Sequence, residues 1–177
     1  MEFELSPEQK LIRDTARDLS RREIAPAAAE IDRSHTFPKA LFNRLGELGL
    51  LGVMVPEQWG GGGMDALSYA LALEEIATGC ASTAVAMSVQ CSLVAAPILA
   101  EGTDEQRALW LPELATGKKI GCFALSEPEA GSDAKAQRTR AVSRIIFWSG
   151  LSSNSISTQF PVQRGGRFSM KARMPSF

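Results

Sequence analysis

At Ile120 the chain changes its periodicity. Before it, apolar residues recur at helical spacing. From Ile120 to Leu125 they form one short run, Ile-Gly-Cys-Phe-Ala-Leu, long enough for a buried strand and too short for a helix. The run breaks into Ser126-Glu127-Pro128 and then Ala130-Gly131-Ser132-Asp133. Pro128 has no backbone N–H and pushes Glu127 toward an extended conformation. Gly131 permits a positive φ and so a reversal of direction. A strand end followed by such a turn points backbone N–H groups and two hydroxyls, Ser126 and Ser132, outward. That arrangement suits a planar ligand with polar edges or a phosphate. The same residue types also make an ordinary loop. The chain therefore reads as α+β: an N-terminal all-α helical bundle over 1–117, the start of a β-domain over 118–142, and a tail over 143–177.

The helices are written with their end signals. Ser6-Pro-Glu-Gln9 is a capping box with proline in the first turn. It predicts a helix to about Asp32, with Ile12, Ala16, Leu19, Ile24, Ala28 and Ile31 on one face and a kink at Pro26. Arg13, Arg17, Arg21 and Arg22 read as its solvated face. Phe37-Pro38 opens a second helix, striped by Leu41, Phe42, Leu45 and Leu48 and closed by Gly49. Leu50 to Val55 must be buried. Pro56 to Gly63, with four consecutive glycines, is either a flexible connection or a loop whose backbone approaches something closely. Asp65 should cap a third helix to about Thr78, with Leu67, Ala70, Leu71 and Ile76 inward. Glu74 and Glu75 diverge by about 100° around it and so form no acid/base dyad. Ser82 should cap a fourth helix through Val85, Val89 and Leu93 toward Leu99, broken or bent at Pro97. Thr103-x-x-Gln106 starts a fifth through Leu109, Trp110 and Leu114, which Gly117 ends, with Lys118 and Lys119 at the negative end of the dipole.

Composition removes several function classes. A formal net charge of −1 argues against generic nucleic-acid binding. Cys80, Cys91 and Cys122 lack CxxC spacing and His35 is the sole histidine, so no metal site is expected. Three dispersed cysteines suit a reducing compartment. The acidic start, Met-Glu-Phe-Glu-Leu, is neither a signal nor a transit peptide, which predicts a cytoplasmic chain. No apolar run reaches spanning length, so no membrane partner is expected.

All 20 acidic residues lie at or before Asp133, and the chain beyond it carries only basic charge. Ala134 to Val142 reads as a paired strand. The last 35 or so residues, rich in serine and arginine, show no periodicity beyond Ile145–Trp148 and read as disordered. The missing acids predict that this tail is out-of-frame or aberrantly spliced translation beginning near Val142. The alternative is a genuine basic tail for an acidic partner. The coding DNA after codon 142 decides between them.

Phe123-Ala-Leu-Ser-Glu-Pro-x-x-Gly-Ser132 resembles the flavin-contacting segment of the acyl-CoA dehydrogenases. The short-chain-specific branch is echoed in Met54-Val-Pro-Glu-Gln-Trp-Gly-Gly61, in Glu74-Glu75-Ile76, in Gly79-Cys-Ala-Ser-Thr83 and in Met87-Ser-Val89. The resemblance runs from about Leu5 to Val142. It implies FAD-dependent α,β-dehydrogenation of an acyl-CoA thioester: a base takes an α-proton, FAD accepts hydride from the β-carbon, and electrons pass to an electron-transfer flavoprotein. It implies a homo-oligomer. It implies that Phe123, Ala124, Leu125, Ser126, Glu127, Pro128, Gly131 and Ser132 touch FAD. Ser126 would lie near flavin N5, Ala124 and Leu125 would present backbone groups to the ring, and Ser132 would also reach the substrate's CoA moiety. Pro56–Gly63 would wall the active-site region, and Met87, Ser88 and Gln90 would lie beside the acyl chain, with core packing the alternative for Met87. The family's catalytic glutamate lies in a C-terminal helical domain with no counterpart here. Glu74, Glu75, Glu127 and Glu129 do not match it, so no catalytic residue is assigned. The resemblance thus implies an N-terminal fragment, inactive alone. A non-enzymatic helical interaction module and an acyl-CoA binding fragment are the alternatives.

Overall fold

The computed structural model describes residues 4–124, 142–148 and 158–162. Among these, helices α1 (Pro7–Leu19), α2 (Ala25–Ser34), α3 (Lys39–Glu47), α4 (Ala66–Gly79), α5 (Ala81–Ser88), α6 (Ala96–Glu101) and α7 (Asp104–Ala115) precede strands β1 (Ile120–Ala124), β2 (Val142–Trp148) and β3 (Thr158–Val162). The change of periodicity at Ile120 is where bundle becomes sheet.

Local signals set the helix ends. Ser6 Oγ accepts the Gln9 N–H at 3.2 Å while Gln9 Oε1 accepts the Ser6 N–H at 3.0 Å. At the end of α3, the Leu50 N–H bonds to the Leu45 carbonyl at 2.9 Å and the Gly49 N–H to that of Gly46 at 3.0 Å. This is the Schellman pattern, and it needs the left-handed φ of 74° that Gly49 adopts. Asp65 Oδ1 accepts the Ser68 N–H at 2.8 Å and starts α4.

The prolines act differently from expectation. Instead of a kink, a π-turn at Ser20–Ile24 joins α1 to α2, with Pro26 in the first turn of α2. A second π-turn at Val89–Ala95 joins α5 to α6, with Pro97 in the first turn of α6. Proline lacks the N–H and crowds the carbonyl four residues back. A widened turn just before it relieves both problems, so residues 81–101 form one continuous helix. The buried face runs on through the π-turn, from Ala16 and Leu19 to Ser20 and Ile24.

Three assignments shift. The buried face of α4 is Ser68, Ala72 and Ile76, while Leu67 is 49% exposed and Ala70 is also exposed. α4 lies along α1, and small residues rather than leucines allow that close approach. The cap of α5 is the extended Cys80 (φ −159°), not Ser82, which sits inside the first turn. Arg17 is not merely solvated: it donates Nε and Nη2 to both carboxylate oxygens of Glu75, at 3.1 and 2.6 Å, tying α1 to α4.

Two apolar clusters result. The first joins Ala16, Leu19, Ile24, Phe42, Leu45, Leu50, Leu51, Ala72, Ile76, Ala84, Met87 and Cys91. The second joins Val55, Val94, Ala95, Ile98, Trp110, Leu111 and Leu114. The helix over 81–101 supplies both. By length and composition it is apolar enough to cross a membrane, where the sequence predicted no such run. Its inner side fills both clusters, and a core helix passes the same test.

The sheet has the order β1-β2-β3, all antiparallel. Ile120 faces Trp148 and Ala124 faces Arg144, while β2 meets β3 with a register shift between Val142 and Ile145. The strand predicted over Ala134–Val142 coincides with β2 only at Val142, and 134–141 lie outside the described residues. Within the tail, β2 and β3 form strands, and the remaining residues lie outside the description.

Candidate functional site

The candidate segment leaves the bundle through β1, and one side chain governs the exit. Gln90, 1% exposed, donates Nε2 to the Leu114 carbonyl at 3.0 Å and to the Lys119 carbonyl at 2.9 Å. Its Oε1 accepts the Gly121 N–H at 2.9 Å. The Gly121 amide is thus turned away from β2. Backbone direction alternates along a strand, so Phe123 also directs its N–H and carbonyl to the outer edge, while Ala124 directs its own toward Arg144. Ala124, expected to present backbone groups to a ligand, is the last residue of β1 and stands opposite Arg144 in the register. Phe123 is half-buried and Cys122 exposed. Leu125, Ser126, Glu127, Pro128, Gly131 and Ser132 lie outside the described residues.

The turn before β1 is held by charge. Lys119 pairs with Glu113 and lies 4.5 Å from the centroid of the Trp110 ring, a cation–π contact. The glycine loop folds onto its own chain. The N–H groups of Gly62, Gly63 and Met64 bond to the carbonyls of Gly52, Val55 and Val53 at 2.8–2.9 Å. A Cβ on Gly61 would fall 2.1 Å from the Val55 carbonyl oxygen. The close approach that four glycines allow is therefore made to residues 52–55.

Of the three residues placed beside an acyl chain, Met87 and Gln90 are buried in the bundle, and Ser88 is half-exposed and accepts the Tyr69 hydroxyl at 3.1 Å. Glu75 is tied to Arg17 and Glu74 is exposed, in keeping with structural roles. Burial pushes the Cys91 thiol up to about 12. At Cys80 burial works in the same direction, but hydrogen bonds from the side chains and N–H groups of Ser82 and Thr83 bring the thiol below its ordinary value. A cavity of about 300 Å³ lies between the end of α2, the Phe37–Pro38 turn and the start of α5. None of the residues predicted to bind a ligand lines it. No cluster of metal ligands occurs among the described residues.

The role of Gln90 was the main feature missed. Its signal was present: an amide on a face otherwise made of Met87, Cys91 and Val94 must find partners for its donors and acceptor.

Residues 6–118 match the family model for the acyl-CoA dehydrogenase N-terminal domain. The human mitochondrial short-chain specific acyl-CoA dehydrogenase is 50% identical over 145 residues, covering 82% of this chain and 35% of that protein. The structure of butyryl-CoA dehydrogenase from Megasphaera elsdenii superposes with a TM-score of 0.73 at 34% identity, covering 85% of this chain and 43% of that one. A chain solved in work on the electron transferring flavoprotein of Acidaminococcus fermentans gives 0.74 at 38% identity, covering 84% and 40%. The chain spans about a third of the length of the curated relatives it matches. Matched in sequence over most of its helical bundle and in fold through the first strand, the chain belongs to the acyl-CoA dehydrogenase family.

Proposed function

We propose that this chain supplies the helical wall and first strand of a flavin site, in a protein that dehydrogenates short-chain acyl-CoA thioesters between Cα and Cβ. The supporting observation is the exit of β1. Gln90 holds the strand so that Phe123 offers a backbone edge on the side away from β2, immediately before Leu-Ser-Glu-Pro. The described residues fit a planar group with polar edges in that respect. Contact with the ring falls to Phe123, Ala124 and the residues after them, with Ser126 near N5 and Ser132 toward the CoA moiety. FAD, when bound, supplies the hydride acceptor.

The chain's own residues orient the ligand and exclude water. Among the described residues, none of Glu74, Glu75 and Glu113 is placed to act as the base. Glu75 and Glu113 are each paired with a cation, and Glu74 points to solvent. This chain alone therefore binds FAD weakly and does not turn over. The electron acceptor would be an electron-transfer flavoprotein, and the complete site would form in a homo-oligomer. Free Cys80, Cys91 and Cys122 support a reducing, cytoplasmic location, which cell fractionation would test.

Titration of the 177-residue chain with FAD, followed by anaerobic addition of butyryl-CoA, tests this reading. Weak flavin association without bleaching is expected, and substrate-dependent bleaching would overturn the claim of inactivity. Val85 and Leu93, 61% and 41% exposed on the long helix, favour a second reading as a helical interaction module. Concentration-dependent association without flavin would support it. Stabilisation by acyl-CoA but not by FAD would favour a CoA-ester binding fragment.

A further inference from the structure

We propose that Gln90 is a positioning residue for the flavin segment. It fixes the direction in which β1 leaves the bundle, and so where the backbone edge of Phe123 meets the ligand. The inference rests on the flavin reading of that segment. Three backbone groups converge on this one side chain: the Leu114 carbonyl in α7, the Lys119 carbonyl in the connecting turn and the Gly121 N–H in β1. Both amide hydrogens and an acceptor site are engaged, so flipping the amide would break all three bonds.

A second contact lies one turn further along the same helix. A Cβ on Gly121 would fall 2.4 Å from Val94 Cγ1, so β1 is pressed onto the helix as well as bonded to it. Gln90 and Val94 both belong to the π-turn Val89–Ala95. Such turns re-aim side chains and recur at functional sites. The strand is thus pinned two residues before Phe123, and the alternation of its outer edge follows from that point. Packing alone does not explain a glutamine here, because a buried amide destabilises unless all its groups are bonded.

Gln90→Met keeps the volume and removes the three hydrogen bonds. Ile24→Val, a buried change on a different helix, controls for general loss of stability. Both are compared with the parent chain by amide hydrogen exchange and by quenching of FAD fluorescence. Gln90→Met should speed exchange at Gly121 by about tenfold over the control, the worth of one buried hydrogen bond. It should weaken FAD binding by a similar factor, while Ile24→Val leaves FAD binding unchanged. Val94→Ala removes only the apolar half of the contact and should also speed Gly121 exchange beyond the control, which keeps the test alive if Gln90→Met does not fold. Equal Gly121 exchange in the glutamine variant and the control would overturn the inference, as would unchanged FAD affinity despite a loosened β1. A parent chain that takes up no FAD would sink the flavin reading instead, leaving Gly121 exchange to decide the anchor separately.

Discussion

Cys91 shows how burial turns a reactive group into a structural one. Its thiol is 5% exposed and donates to the Leu51 carbonyl at 3.2 Å. Desolvation raises it from 9.0 to about 12. The folded state therefore holds this proton more tightly than the unfolded chain. Its contribution to stability is complete below pH 9 and is lost as pH rises from 9 toward 12. Urea midpoints measured against pH should fall more steeply in this alkaline range for the parent chain than for Cys91→Ala. Parallel curves would refute the burial account. Dispersed cysteines without CxxC spacing read as small core residues, which holds for Cys91 and fails for the exposed Cys122. The opposite direction of the shift at Cys80 was not legible in the sequence, because the hydrogen bonds from Ser82 and Thr83 depend on which residue caps α5.

At the scale of elements, capping boxes were the most reliable sequence signals, because a cap is satisfied within four residues and needs no tertiary partner. Thr103 illustrates this: its Oγ1 accepts the Gln106 N–H while Gln106 Oε1 accepts the Thr103 N–H. Thr103→Ala should cost about 1 kcal/mol, read as a lower urea midpoint with an unchanged slope. A shift near zero would mean that α7 is held by its packing alone. The prolines were read less well. A proline in a helix predicts disruption, but whether it appears as a break, a kink or a π-turn depends on whether the rest of the helix is held on both sides. Both ends of the 81–101 helix are held in apolar clusters, so the backbone takes up the strain in seven π residues and stays continuous.

For the whole molecule, that helix is the shared wall of two cores, and they should unfold together. Ile98→Ala in the second core should destabilise by about 2–5 kcal/mol. Loss of helix and change in tryptophan emission, two of whose three sources, Trp59 and Trp110, lie in that core, should move by the same amount. Transitions that separate would show two independent units. The residues that make this helix look able to span a bilayer are the ones that bind the halves into a single bundle.

By itself the sequence determined the number and ends of most helices, the passage to strand at Ile120 and the family. Those properties are carried by short-range hydrogen bonding, by periodicity and by strings of side chains. Tertiary structure alone decided which face of α4 lies inward, how Pro26 and Pro97 are accommodated, and that Gln90 joins α7 to β1. Each of these depends on what a residue meets across a gap of many positions, and packing, not local propensity, selects among the phases that the chain leaves open.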